Sequence, residues 1–212
     1  MNLECYYQFF FTLLLAYFLG SFPTGYIIAK LKGIDITKIG SGNIGMANVF
    51  RTLGPSYGII VLLIDTLKGF LPTFIAIKMN FPALFVLVVG ITAIMGHIFT
   101  IFLRFKGGKG VATSLGVILA ISPILALSCF IVWFLTVIIT RYSSLGSILA
   151  ALSATIITFL YQFNIFNLNL LNIQLENKLH LTIFCTSIFI FILYLHRENI
   201  RRIIKGTENK IF

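Results

Sequence analysis

A loop at residues 105–110, with the sequence FKGGKG, joins two strongly apolar stretches of this chain. Its three glycines leave backbone N–H groups unshielded, so a phosphate can approach closely, and its two lysines supply the opposite charge. We predict that these N–H groups, including that of Gly108, form a phosphate-binding nest at a membrane boundary. The spacing differs from that of a Walker A motif. The candidate phosphate-binding residues are Lys106, Gly107, Gly108, Lys109 and Gly110.

A second polar motif, residues 40–51 with the sequence GSGNIGMANVFR, precedes the next apolar stretch. Serine and asparagine offer donors without bulk, and a helix that starts here would favour an anion at its N-terminus. The planar guanidinium of Arg51 suits a phosphate. We therefore predict that Ser41 and Arg51 are catalytic and that Asn43 binds substrate. The plainer alternative is a turn followed by a positive charge that fixes the topology.

A third motif, residues 196–202 with the sequence HRENIRR, follows the last apolar stretch. His196 and Asn199 are three residues apart and share one face of a helix, so we predict that both are catalytic. The arginines of this motif are better explained as charges that fix the topology.

Three smaller features accompany these motifs. On a continuous helix His97 would lie ~10 Å below the membrane rim, where a histidine either faces a polar cavity as a substrate contact or acts as a hydrogen-bonding strut. Ser143 and Ser144 either cap the helix that follows or bind substrate oxygens. Asp65 and Lys68, three residues apart within an apolar segment, are expected to pair with each other in a structural role.

The composition excludes an ordinary soluble protein. Of the 212 residues, 58% are apolar and only 10% are charged, and the mean hydropathy is +1.02. A polytopic membrane protein fits these values, as a single domain over residues 1–212. The three cysteines have no paired spacing, so we expect apolar packing and no disulfide framework, metal site or cofactor. No basic residue precedes the first apolar run, which argues against a cleaved signal peptide.

Apolar runs and their breakers predict an all-α fold with about seven transmembrane helices. The predicted segments are 7–30, 55–77, 82–103, 110–122, 123–141, 144–163 and 179–196. The fourth and fifth belong to one long run that the pair Ser122-Pro123 should split, and the fourth is short for a span. The Asn-rich stretch 162–178 is too polar to cross and is predicted to be an extramembrane loop.

With seven spans, the basic residues divide sharply between the two sides of the membrane. Thirteen of the sixteen lysines and arginines fall on one side, only Lys78 and Lys178 fall on the other, and Lys68 lies within a span. By the positive-inside rule the rich side is cytoplasmic, which puts the N-terminus outside and the C-terminus inside. All the polar motifs then share the cytoplasmic side.

Together these motifs resemble those of the PlsY-type acyl-phosphate:glycerol-3-phosphate acyltransferases of bacteria. The resemblance runs from residue 20 to residue 208, with the three motifs in the family's order and spacing. It implies a seven-span enzyme of the bacterial inner membrane that catalyses the first step of phospholipid synthesis. An acyl group would pass from acyl phosphate to the 1-hydroxyl of glycerol 3-phosphate, giving lysophosphatidic acid and phosphate.

The resemblance also implies roles for single residues. Ser41 and Arg51 match the family's essential serine and arginine, and the glycine loop matches the one associated with glycerol 3-phosphate. Two departures are visible: Met46-Ala47 stands where the family usually has Ala-Thr, and Thr100 stands where it usually has proline. The first departure removes a hydroxyl beside the expected site.

An acyl phosphate is a mixed anhydride with a good leaving group, so the site needs proximity and charge neutralisation rather than a protein nucleophile. Ser41 is accordingly expected to bind rather than to attack. The proton of the attacking hydroxyl could pass to His196, to His97 or to the substrate's own phosphate, and the sequence does not choose between them.

The expected partners are glycerol 3-phosphate, long-chain acyl phosphate and membrane lipid, with no nucleic acid. An enzyme that produces acyl phosphates is a further candidate partner. One alternative function is a membrane transporter of a phosphorylated metabolite, which usually carries midplane sites on broken helices within inverted repeats. Another is a non-catalytic assembly subunit, which would leave the predicted phosphate nest unexplained.

Overall fold

The computed structural model describes residues 3–165 and 178–212, and within those ranges every regular element is a helix, which confirms the all-α prediction. The helices are α1 (Leu3–Ser21), α2 (Thr24–Leu31), α3 (Met46–Leu53), α4 (Pro55–Lys78), α5 (Ala83–Ile98), α6 (Val111–Ile121), α7 (Pro123–Thr140), α8 (Ser143–Gln162), α9 (Lys178–Leu195) and α10 (Arg197–Ile204). The predicted loop at 162–178 lies largely outside the described residues.

Six helical segments of the described chain are long and apolar enough to cross a membrane. They are Leu3–Leu31, Pro55–Lys78, Ala83–Leu103, Pro123–Thr140, Ser143–Gln162 and Lys178–Leu195. The remaining predicted segment is α6, whose 11 residues extend only ~16 Å, about half of the ~30 Å hydrocarbon core. These lengths are typical of a polytopic membrane protein, and the count of seven spans stays a prediction.

Proline and serine divide two of the apolar runs. Ser122 ends α6 and caps α7, because its hydroxyl oxygen accepts a hydrogen bond from the N–H of Leu125 (3.3 Å), and Pro123 begins α7 as predicted. The first predicted segment is not one continuous helix. Pro23 lacks an N–H and disfavours helical backbone at Phe22, so α1 and α2 are separate.

The third predicted segment is also shorter as a helix than predicted. α5 ends at Ile98, and a 3-10 turn follows at Ile101–Leu103. Between them Thr100 leaves the helix, and its hydroxyl donates to the carbonyl of Ser21 on α1. His97 therefore lies in the last turn of α5, and the continuous helix from His97 to Arg104 that the prediction assumed does not form.

The helices pack as two halves that the chain joins at Ser122. One half contains α1, α4, α5 and α6, and the other contains α7, α8 and α9. α4 and α6 approach so closely that a Cβ on Gly116 would stand 1.9 Å from the carbonyl oxygen of Thr66, and one on Gly69 would stand 2.0 Å from that of Thr113. Small residues permit such close approach between membrane helices.

The polar motifs meet at one end of this bundle. At the opposite end the first turns of α1 lie beside the α4–α5 connection, where the ring of Phe9 is 5.8 Å from that of Phe81. The segment after α10 lies instead at the motif end, where the N–H of Ile211 donates to the carbonyl of Arg141 (2.8 Å) in the α7–α8 turn. The loops that carry the three motifs share this second end and border one cavity.

Candidate active site

Asn48 organises the first motif. It is buried on α3, its Oδ1 accepts a hydrogen bond from the N–H of Ser41 (3.0 Å), and its amide nitrogen donates to the carbonyls of Ile39 and Asn43 (both 3.0 Å). These bonds hold the loop against the start of α3. Arg51 lies about one turn further along the same helix, so the loop and the guanidinium are positioned together.

The glycine loop folds back onto the end of α5, and this overturns part of the predicted nest. The N–H of Gly107 donates to the carbonyl of Ile98 (2.8 Å), and that of Gly108 donates to the carbonyl of His97 (3.1 Å). Both groups are occupied within the protein, so the prediction that they are free to bind phosphate is wrong. Gly108 also lies against the His97 ring, because a Cβ on Gly108 would stand 2.1 Å from Nε2.

The N–H groups better suited to an anion are those at the start of α6. Gly110, with φ 76°, is the N-cap of this helix, and no side chain caps it. The first intrahelical bond runs from the N–H of Ser114 to the carbonyl of Gly110 (2.8 Å), so the three preceding N–H groups have no intrahelical acceptor. The helix N-terminus carries a partial positive charge, and Lys109 adds a full charge beside it.

His196 lies between α9 and α10, and its Nδ1 is 2.8 Å from the carbonyl oxygen of Ile192. A carbonyl only accepts hydrogen bonds, so this geometry assigns the proton to Nδ1 and leaves Nε2 as an acceptor in the neutral ring. Burial and then the charge of Lys109 lower the pKa of His196 to about 4. The imidazole is therefore neutral near pH 7, with an unprotonated Nε2.

Glu208 joins residues of α8 and α10. Its Oε1 accepts from Nδ2 of Asn199 (2.6 Å) and from the hydroxyl of Ser144 (2.7 Å), and its Oε2 accepts from Nε of Arg202 (2.7 Å). Because Nδ2 of Asn199 is directed at Glu208, Oδ1 of Asn199 is left to accept from Nζ of Lys109. Ser144 uses its donor in this network, and no side chain caps α8.

Cationic groups surround Glu208. The pKa of Lys109 is lowered to about 8: burial is the largest cause, the charge of Glu208 opposes it, and the guanidinium groups of Arg202 and Arg51 add to the lowering. Burial raises the pKa of Glu208, but the three hydrogen bonds just described outweigh it, so this pKa lies below its ordinary value. One carboxylate therefore faces three cations, and an anionic ligand would balance the remaining charge.

These residues line one cavity between the two halves of the bundle. Ten of the thirteen predicted site residues line it: Ser41, Asn43, Arg51, His97, Lys109, Gly110, Ser143, Ser144, His196 and Asn199. The structure does not bring Lys106, Gly107 or Gly108 to this cavity, and Lys106 is exposed. That the ten residues bind substrate or catalyse stays a prediction.

The cavity changes character along its length. The end formed by the motifs is polar and charged, whereas the inner part is bordered by apolar residues of α6, α7, α8 and α9. These include Leu115, Ile118, Cys129, Phe130, Trp133, Ala150, Ala151, Ala154, Cys185, Ile188 and Ile192. A cavity of this kind fits a molecule with a charged head and a long apolar tail.

The predicted pairing of Asp65 with Lys68 is confirmed and extends further. Nζ of Lys68 donates to Asp65 and also to the carbonyl of Phe22, at the break between α1 and α2. Nδ1 of His97 lies 4.0 Å from Oδ1 of Asp65, and Gly108 lies against the other side of the ring. His97 is thus enclosed on two sides, which favours a structural role.

Several residues in or next to the cavity are not among the predicted site residues. Glu208 has a sequence signal, since it is an acidic residue in the otherwise basic segment that follows α10. Arg202 was assigned to topology alone, although it pairs with Glu208. Ser114 and Ser147 are serines within apolar helices, and no sequence signal separates them from serines that bond only to their own helix.

Comparison with known proteins gives a consistent result. The family described as Glycerol-3-phosphate acyltransferase matches residues 10–206. The chain is 45% identical to the glycerol-3-phosphate acyltransferase of Geotalea daltonii, over 92% of this chain and 93% of that one. It is 41% identical to the glycerol-3-phosphate acyltransferase of Aquifex aeolicus, over 94% of this chain and 97% of that one.

Two solved structures are also similar to this chain. They show PlsY (YgiH), an integral membrane glycerol 3-phosphate acyltransferase, in its glycerol 3-phosphate form and in its lysophosphatidic acid form. The TM-scores are 0.84 and 0.81, and both structures are 40% identical to this chain, over 96% of it and 95% of the solved chain.

Proposed function

The chain belongs to the glycerol-3-phosphate acyltransferase family, and we propose that its acyl donor is an acyl phosphate that binds in the cavity between the two halves. The chain is an integral membrane enzyme that transfers an acyl group to glycerol 3-phosphate. Acylation at the 1-hydroxyl, with release of lysophosphatidic acid and phosphate, is part of the proposal. The bound forms of the related structures are consistent with this acceptor and product.

The observation that carries the proposal is the cavity's division into a charged end and an apolar part. Arg51, Lys109 and the uncapped N-terminus of α6 border the charged end, and Glu208 is the carboxylate among them. This surplus of positive charge suits two phosphorylated reactants bound side by side. A thioester donor on a carrier would bring no phosphate directly next to its carbonyl group.

The chemistry needs a base and correct placement, because the acyl phosphate already carries its leaving group. We propose that Nε2 of His196 accepts the proton of the attacking hydroxyl, since the ring is neutral and its Nδ1 is held by Ile192. Asn199 and Lys109 are held in place by Glu208 and would orient the acceptor. His97, enclosed by Asp65 and Gly108, is less well placed to act as the base.

The acyl chain occupies the apolar part of the cavity in this proposal. From Ser144 to Ala154 along α8, ten residues rise ~15 Å. An extended chain advances ~1.2 Å per bond, so this length holds about a dozen bonds of a fatty acyl chain. Chains of membrane lipids therefore fit largely within the protein.

The surroundings of the enzyme follow from its substrates. We propose that the enzyme lies in the bacterial inner membrane with its charged end towards the cytoplasm, because thirteen basic residues are predicted on that side. The amphiphilic donor must be made by another enzyme that produces acyl phosphates. That enzyme is the partner the reaction requires.

Purified protein tests the proposal directly. Labelled glycerol 3-phosphate is incubated with palmitoyl phosphate, palmitoyl-CoA or palmitoyl acyl carrier protein, and the labelled lipid is measured. We expect lysophosphatidic acid to form with palmitoyl phosphate and with neither of the other two donors. Equal rates with palmitoyl-CoA would overturn the assigned donor. Uptake of label into proteoliposomes without any acylated product would instead favour a transporter.

A further inference from the structure

Four buried side-chain hydroxyls in the described part of the chain have no hydrogen-bond partner, those of Ser21, Thr24, Thr113 and Ser114. Of these four, only Ser114 lines the cavity. Ser114 is 4% exposed. An unpartnered buried hydroxyl disfavours folding, so such a group calls for an explanation.

Hydroxyls on the neighbouring helices α4 and α8 are satisfied locally. Those of Thr66, Thr73 and Ser147 each donate to the carbonyl four residues earlier, at 2.7–2.9 Å. For Ser114 the corresponding acceptor is the carbonyl of Gly110, which accepts the backbone N–H of Ser114 but not its hydroxyl. The donor of Ser114 is therefore available to a molecule in the cavity.

Ser114 also marks the point where the cavity changes character. Lys109 and Gly110, just before it, border the charged end, whereas Leu115 and Ile118, just after it, border the apolar part. In an acyl phosphate the carbonyl group lies between the charged phosphate and the apolar tail. A donor with its phosphate at the charged end and its tail in the apolar part therefore places its carbonyl group at this boundary.

We propose that the hydroxyl of Ser114 donates a hydrogen bond to the carbonyl oxygen of the acyl donor and stabilises the negative charge that develops there. This inference rests on the proposed function. The N–H groups in the first turn of α6 lie beside Ser114, so one short segment would contact both the carbonyl oxygen and the leaving phosphate.

The proposed step balances without a further reactant. The acceptor oxygen forms a bond to the carbonyl carbon, and the carbonyl electron pair moves onto the carbonyl oxygen. The hydroxyl of Ser114 donates a hydrogen bond to that oxygen. The pair then returns, the bond from carbon to the phosphate oxygen breaks, and phosphate leaves with those electrons. The acceptor proton passes to Nε2 of His196, while Ser114 keeps its own proton throughout.

Ser114→Ala removes the donor and leaves the rest of the helix intact. We expect kcat with palmitoyl phosphate to fall roughly ten- to a hundredfold, the range for losing one hydrogen bond to a developing charge. KM for glycerol 3-phosphate should stay unchanged. The purified variant should unfold at the same temperature as wild type or slightly higher, because an unpartnered buried hydroxyl is gone. Ser114→Thr keeps a hydroxyl and should retain most of the activity.

Ser21→Ala is the matched control, since it makes the same substitution at a buried hydroxyl that also lacks a partner but does not line the cavity. Its kcat should equal that of wild type. Unchanged kcat in Ser114→Ala, or an equal loss in Ser21→Ala, would overturn the inference. So would a raised KM for glycerol 3-phosphate at constant kcat, which would assign the hydroxyl to the acceptor. Failure of the proposed function would give a different result from failure of this inference, because wild type itself would then show no transfer from acyl phosphate.

Discussion

The contact between Gly108 and His97 allows the role of the glycine loop to be tested at the scale of single atoms. A Cβ on Gly108 would stand 2.1 Å from Nε2 of His97, so Gly108→Ala must displace either the ring or the loop that carries Lys109. Overpacking of this kind costs ~1–3 kcal/mol. We expect kcat/KM for glycerol 3-phosphate to fall at least about tenfold and to recover in part when His97→Ala is added.

Gly107→Ala is the control for this rescue. A Cβ on Gly107 would stand 2.0 Å from the backbone oxygen of His97, and shortening the His97 side chain does not move that atom. His97→Ala should therefore rescue Gly108→Ala but not Gly107→Ala. If His97→Ala alone abolishes turnover, His97 takes part in the chemistry and its interpretation as a strut is wrong.

The buried Lys109 predicts a pH dependence. Its pKa is lowered to about 8 by burial, so it loses its charge as the pH rises through about 8. The acceptor's phosphate is already dianionic above about pH 6, so the decline is assigned to the enzyme. We expect kcat/KM for glycerol 3-phosphate to be highest between about pH 6 and 8 and to fall above about 8.

Lys109→Arg separates this titration from other causes. A guanidinium stays protonated throughout the accessible range, so the decline above about pH 8 should disappear even if the maximal rate is lower. The measurement is the profile of kcat/KM against pH at constant ionic strength. A wild-type profile that stays flat to about pH 10 would show that the charge of Lys109 is not needed.

Residue types alone identified much of the candidate site, because Ser41, Arg51, His196 and Asn199 combine donors and charge at membrane boundaries. The sequence could not show that the N–H groups of Gly107 and Gly108 are occupied by α5, since this depends on how the loop folds back. The positions of glycines indicate where a chain can turn or pack closely against another segment. They do not indicate which atoms of that segment the glycines will contact.

At the scale of helices, the small side chains of α8 lead us to predict that the cavity selects acyl donors by chain length. Ala150 and Ala154 border the apolar part of the cavity, where small side chains leave room for an acyl chain. Ala154→Phe would fill the inner end of that space. We expect kcat/KM to fall at least about tenfold for palmitoyl phosphate and little for octanoyl phosphate, measured by product formation with each donor.

Ile156→Phe is the matched control on the same helix, because Ile156 is 49% exposed and lies outside the cavity. It should leave the ratio of the two donors unchanged. Equal losses for both donors in Ala154→Phe would mean that the acyl chain lies elsewhere.

Element boundaries were predictable where a single residue decides them. The pair Ser122-Pro123 separates α6 from α7 by a local cap and a missing N–H, and both effects are visible in the sequence. The end of α5 at Ile98 was not predictable, because Thr100 leaves the helix to bond with Ser21, a contact between residues 79 positions apart. Long-range hydrogen bonds of this kind have no local signal.

At the scale of the whole molecule, the short helix α6 determines whether the two ends of the chain lie at the same end of the bundle or at opposite ends. Counting only the six long segments would place both ends on the same side of the membrane. The contacts place them at opposite ends of the bundle, with Phe9 against Phe81 and Ile211 against Arg141. α6 and α7 run out from the motif end and back to it, so this relation holds whether or not Ser122 reaches the far surface.

The orientation of the bundle in the membrane is therefore a prediction that does not depend on the exact number of spans. Lys106 is exposed at the motif end, and Met79 is 37% exposed at the opposite end. In a variant without Cys5, Cys129 and Cys185, we expect Lys106→Cys to react with a membrane-impermeant maleimide only in inside-out vesicles. Met79→Cys should react only in intact cells with a permeable outer envelope.

Both variants must first retain acyl transfer, which shows that each is folded and inserted. Labelling of one variant in both preparations would mean that the membranes leak, and a permeant maleimide measures the total reactive thiol in each preparation. Labelling of both variants from the same side alone would contradict the prediction that the two ends of the bundle face opposite sides. Labelling of Lys106→Cys from outside alone would reverse the bundle. The charged end would then face away from the cytoplasm, against the positive-inside rule and away from any cytoplasmic supply of glycerol 3-phosphate.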